Sequence, residues 1–194
     1  MGVEERMADR CNTIRLYSFQ TDVVYQVLKR DGVCYSKEEY VRKKYKESAK
    51  VFINAYGWFV KEAQHIVPKP EGAEYPYWAF TDLYNVDQTG DGHVLTLDVP
   101  IGEAILFDMF DWTKIMQMHY IGENESEEAT FSEELKNMGM NEFQIMTSNF
   151  YPEQKARIQE SWKRLFGHQQ AIEAGDNSGV HSVQAGLWCI KDEW

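Results

Sequence analysis

The chain has 194 residues, 43% of them hydrophobic, enough for one domain that buries on the order of 70% of its unfolded surface. Its formal net charge is -11, from 31 acidic and 20 basic residues, so no global field draws in phosphate backbones or anionic lipid. That argues against direct nucleic-acid binding and against membrane attachment, and it leaves a basic protein as the macromolecular partner favoured by charge, as for an acidic inhibitor.

The opening segment, residues 1–12, is polar and reads as a flexible N-terminus without the apolar core of a signal peptide. No stretch approaches the ~18 consecutive apolar residues of a membrane span. Cys11, Cys34 and Cys189 are odd in number and form no CxxC pair, which favours a reducing, cytoplasmic setting over a disulfide framework or zinc site. The sequon Asn124-Glu125-Ser126 therefore has no secretory context.

Residues 13–19, TIRLYSF, alternate Ile14, Leu16 and Ser18 against Arg15, Tyr17 and Phe19, a strand with one apolar and one aromatic-basic face. Thr21 is placed to cap a helix through Val23, Val24, Val27 and Leu28 that closes at Asp31-Gly32. After a short VCY strand, Ser36 and Glu39 form a capping box. It opens a helix with the stripe Phe52, Tyr56, Phe59, Val60, Ala63 and Ile66, stopped by Pro68 and Pro70. Residues 75–84 read as an aromatic strand, 93–100 as an alternating strand, and AILFD as another, after which Asp108 caps a helix over about 109–121. The acidic run 122–134 predicts a mobile, solvated loop leading into a small helix. Ile158, Trp162, Leu165 and Phe166 mark a helix beginning near Pro152, and 181–190 read as the last strand. The sum is α+β: a mixed, mainly antiparallel sheet with helices packed against it.

Several groups are candidates for function. The segment 87–98, DQTGDGHVLTLD, places Asp87, Thr89, Asp91 and Asp98 at the spacing of a calcium loop. Its flanks alternate like strands, and a hairpin tip explains the same residues without a metal. Arg15, Tyr17, Gln20, Tyr77, Trp78 and Gln184 combine aromatic walls with directed donors, the chemistry a small-molecule or nucleotide pocket requires. The five histidines show no metal-ligand spacing, and neither a nucleophile elbow nor a glycine-rich phosphate loop occurs. Met109, Met116 and Met118 with Trp112 form a stripe suited either to core or to an adaptable protein-binding surface.

The ordered segments YSFQ, AYGWFV, YPYWAF, LTLDVP with ILFDMFDW, ESWKRLF and VQAGLWCI resemble the bacterial family known as Domain of Unknown Function 3841, from about residue 14 to 190. The matching positions are Gln20, Tyr56 with Trp58, Pro76 with Trp78, Asp108 with Trp112, and Ser161 with Trp162. The resemblance implies no established activity. The chain departs from it in the short NVDQTGDGH, where the family often has a longer basic stretch, and in Thr113, where it commonly has His. The strand order also resembles ADP-ribosyltransferases at fold level, which implies Arg15 as a grip on NAD but sets Gln184 where that chemistry wants a carboxylate.

Overall fold

The computed structural model describes residues 13–45 and 49–194. The expected flexible terminus, Cys11, and the middle of the long helix read from Ser36 to Ile66 lie outside the described residues. Strand β1 (Thr13–Gln20) forms where alternation predicts it, with Leu16 and Ser18 fully buried and Arg15 exposed. Helix α1 (Asp22–Asp31) ends at Gly32, whose φ of 75° lets its N–H donate to the Leu28 carbonyl. Thr21 stands at the N-cap without a side-chain capping bond. Strand β2 (Val33–Tyr35) follows.

The capping box at Ser36 is not formed. Helix α2 (Glu38–Tyr45) starts two residues later, because Ser36 is drawn into an extended bridge with Tyr75. The Glu38 amide instead donates to the Glu74 carboxylate at 2.8 Å. Helix α3 (Ala49–Ala63) carries the aromatic stripe. Strand β3 (Tyr77–Phe80) is shorter than the aromatic run predicts, since the Asp82 carboxylate accepts from the Tyr84 amide and turns the chain. Strands β4 (His93–Pro100) and β5 (Ala104–Asp108) follow. Helix α4 (Met109–Met116) is capped by Asp108 as expected, but ends short of residue 121.

The expected loop is short and the helix it leads into is long, taking up most of the acidic run. In α5 (Glu125–Asn137) the Asn124 side chain accepts from the Glu127 amide, and Glu125, Glu127 and Glu128 lie in the first turn, where the helix dipole favours negative charge. Helices α6 (Glu142–Thr147) and α7 (Pro152–Ser161), a 3-10 segment (Trp162–His168) and α8 (Gln169–Glu173) complete the helical part. The C-terminal run is two strands, β6 (Val183–Leu187) and β7 (Cys189–Lys191). Between them the Trp188 indole donates to the Val67 carbonyl at 2.8 Å and is buried in the core.

The main sheet has the order β4-β1-β3-β6-β5, and β2 pairs with β7 in a second ladder. All described pairs are antiparallel. One face carries Leu16, Tyr77, Ala79, Leu97, Leu106 and Ala185 in a cluster that also takes in Leu28 and Ile172. On the other face α3 sits over β5 and β6. The Phe59 ring lies 5.1 Å from Trp78, 5.6 Å from Phe107 and 5.3 Å from Trp112. Gly186 permits that approach, because a Cβ there would stand 2.9 Å from the Phe59 ring. Every residue of β5 and β6 is buried; the β4–β1 side of the same sheet is not.

Candidate functional site

Antiparallel register sets alternate residues in rows across the sheet. One row on the helix-bearing face runs Thr96, Tyr17, Phe80, Gln184, Phe107. One step along, Val94 faces Phe19, while Trp78 and Ile105 flank Gly186. Helix α3 covers the Phe107 end. At the other end Thr96 and Val94 are exposed and Tyr17, Phe19 and Phe80 half-buried, and none of these aromatics packs into either core cluster. The result is an open aromatic floor beside a closed aromatic wall. Gly92 keeps the floor compact, since a Cβ there would meet the Gln20 carbonyl at 2.4 Å and the Phe19 ring at 2.7 Å.

Gln184 stands at the seam. It is 4% exposed, and its side-chain amide makes no hydrogen bond to a described residue. No fully enclosed side-chain nitrogen or oxygen lacks a partner among the described residues, so the amide touches solvent at the edge of the open floor. Arg15 lies on the same face, opposite Asp98. Its Nε and Nη2 each donate to that carboxylate at 2.8 Å, and this pairing holds the guanidinium pKa above its ordinary value. Trp78 forms the seam's inner wall, with its indole N–H donating to the Tyr56 hydroxyl at 2.9 Å.

Thus Arg15, Tyr17, Trp78 and Gln184 share one face, while Gln20 and Tyr77 face the other way. The Gln20 amide donates to the Ser18 hydroxyl, which donates to the Trp78 carbonyl at 2.7 Å. This relay ties β1 to β3 where their ladder is shortest. The Tyr77 hydroxyl meets the Cys34 thiol at 3.1 Å in the opposite core, and burial pushes its pKa far up. Cys189 is also buried, with its thiol pushed up to about 11 by desolvation.

The calcium spacing resolves into separate duties. The Asp87 carboxylate accepts from the Thr89 amide and hydroxyl, a local turn, whereas Asp98 lies in β4 on Arg15. No group of three or more His, Cys, Asp or Glu residues suited to a metal occurs among the described residues. The methionine stripe is largely interior: Trp112 and Met118 are buried and Met116 packs against the same core. Some acids of α5 are paired: Glu127 accepts from the Tyr120 hydroxyl, Glu128 from Lys114 and, at the surface, Glu134 from Arg157.

The sequence reading missed the contact between His181 and Asp108. The buried Asp108 carboxylate accepts from the Phe110 amide at 3.0 Å and the His181 amide at 3.0 Å, and lies 2.8 Å from the His181 Nδ1. Burial raises the carboxyl pKa, but these three contacts outweigh it and hold the group below its ordinary range. The ring is 76% exposed, with Phe110 tilted against it. Asp108 announces itself in the sequence as a helix cap; a partner 73 positions away leaves no local signal. A separate cleft of about 610 Å³ lies among α2, α3 and α7, lined by Arg42, Ile53, Asn54, Trp58, Lys61 and Gln159, and includes none of the sheet residues above.

No described helix is long and apolar enough to cross a membrane. The model of the family described as Domain of unknown function (DUF3841) matches residues 15–194. No curated protein and no solved structure matches the chain.

Proposed function

We propose, for this chain, which belongs to the DUF3841 family whose description carries no activity, that the protein binds a small ring-bearing molecule on the open half of its sheet. The observation that carries this reading is Gln184, nearly buried and with no hydrogen-bond partner for its amide among the described residues, beside the rings of Tyr17 and Phe80. With no protein partner among the described residues, the amide has only the solvent at the edge of the floor to bond to. A ligand that stacks on the floor can replace that solvent contact with a directed hydrogen bond. Tyr17, Phe19 and Phe80 supply the stacking surface, Trp78 the wall, and Arg15 a polar margin.

A transfer reaction on NAD has weaker support. Arg15 and Gln184 do share a face, but a neutral amide lacks the charge that stabilises an oxocarbenium-like transition state. An acidic inhibitor is supported by the net charge, although the pairing of Glu127, Glu128 and Glu134 offsets part of the charge of the acidic run.

The test is ligand-observed NMR with indole and p-cresol. Saturable binding to the native chain, weakened about tenfold by Tyr17→Ala at unchanged fold, is the expected result. Equal binding to Tyr17→Ala, or none to either protein, would sink the reading.

A further inference from the structure

We infer that the ligand of this face is an uncharged nucleobase or nucleoside, not a phosphorylated nucleotide, and that Gln184 reads its hydrogen-bonding edge. The inference rests on the ring-binding reading above and adds the ligand's class.

A glutamine side chain presents a carbonyl acceptor and an NH₂ donor side by side. A ligand with one polar group satisfies half of that pair and leaves the other half desolvated. Full satisfaction needs a planar partner with a donor and an acceptor adjacent on one edge, such as the lactam of uracil or hypoxanthine or the amidine edge of adenine. Gln184 pairs across the sheet with Phe80, and Phe80 with Tyr17. Neighbouring strands lie about 4.8 Å apart, so a ring whose edge meets the Gln184 amide extends over the Phe80 and Tyr17 side chains.

Arg15 is the one cation on the described part of this face, and two of its nitrogens are committed to Asp98. It lies about 10 Å from Gln184 across the strands and about 7 Å along them, close to where the 5′ substituent of a nucleoside would lie. A phosphate there would meet a neutralised pair in a molecule of net charge -11. Phosphate sites are built instead from unpaired cations or converging backbone amides. A sugar hydroxyl carries no such requirement.

The experiment is calorimetric and NMR titration of the full chain with adenosine, uridine, AMP and UMP at low salt, with indole as a ring lacking a donor–acceptor edge. Expected are binding of at least one nucleoside, at least fivefold weaker binding of its monophosphate, and narrowing of that gap at 0.5 M NaCl. Gln184→Met should weaken the nucleoside at least tenfold while the circular-dichroism spectrum and the unfolding midpoint stay near native, since it removes the donor–acceptor edge but keeps the side-chain volume. Asp98→Asn should favour the monophosphate relative to the nucleoside by releasing Arg15. Monophosphates binding as tightly as nucleosides to the native chain, or nucleoside binding unchanged in Gln184→Met, would overturn the inference. Indole binding without nucleoside binding would also overturn it but leave the ring-binding reading standing; failure of every probe would remove both.

Discussion

Two buried polar side chains of similar exposure have opposite standing. Asp108, 4% exposed, is satisfied by two backbone amides and the His181 ring, while Gln184, equally buried, has no partner among the described residues. The first is held by protein groups and contributes stability; the second is left to solvent at the edge of the open floor. Asp108→Asn preserves the oxygen that caps Phe110 but replaces the one that meets His181 with a donor. Hydrogen bonds to a charged acceptor are worth about 1.5–3 kcal/mol, so a loss of about 2 kcal/mol near pH 7 is expected in denaturant titrations. The sign with pH follows from the lowered carboxyl pKa. The contribution is fully present above the ordinary aspartate range and is lost as pH falls through the folded-state value, so native and variant proteins should converge in stability below about pH 4. A gap that persists undiminished in acid would mean that the charge of Asp108 contributes nothing.

At the scale of elements, what was legible is what local chemistry decides. The two faces of β1 follow from the alternation of Leu16 and Ser18 against Arg15 and Tyr17, and the left-handed end of α1 from Gly32. Elements decided by distant partners were not legible: α2 starts late because Glu74 supplies its cap, and Trp188 divides the last strand. The same holds for the site. Tyr17, Trp78 and Gln184 could be picked out by residue type, but their common face, and the opposite facing of Gln20 and Tyr77, depend on cross-strand register. Gln169 is a further case of action at a distance. Its amide accepts from the Leu106 N–H and donates to the Ala104 carbonyl at 3.1 Å, closing the outer edge of β5 as another strand would. Gln169→Ala leaves two buried backbone groups without partners, at about 1–3 kcal/mol each. A loss of about 2–4 kcal/mol is therefore expected, and an unfolding midpoint within error of the native value would show that water replaces the amide freely.

Across the whole molecule, stability should be graded from one side of the sheet to the other. Strands β5 and β6 are covered on both faces, and Gln169 closes the β5 edge. Strand β4 is the opposite edge, and its pairing with β1 leaves alternate amides directed outward. The Asp98 amide is one of them, and it donates to the Trp194 carbonyl at 2.9 Å; by the period of the ladder the Val94 and Thr96 amides point the same way. Buried ladder amides exchange only through large openings, whereas edge amides exchange from the native state. Hydrogen exchange should therefore find Phe107 and Ala185 slowest, Val94 and Thr96 faster by roughly a thousandfold or more, and Asp98 between them. Removing Trp194 should accelerate Asp98 selectively, with Phe107 and Ala185 unchanged at matched global stability. Equal protection of Thr96 and Ala185 would contradict the gradient, and with it the view that the β4–β1 side is the half of the sheet left accessible for a ligand.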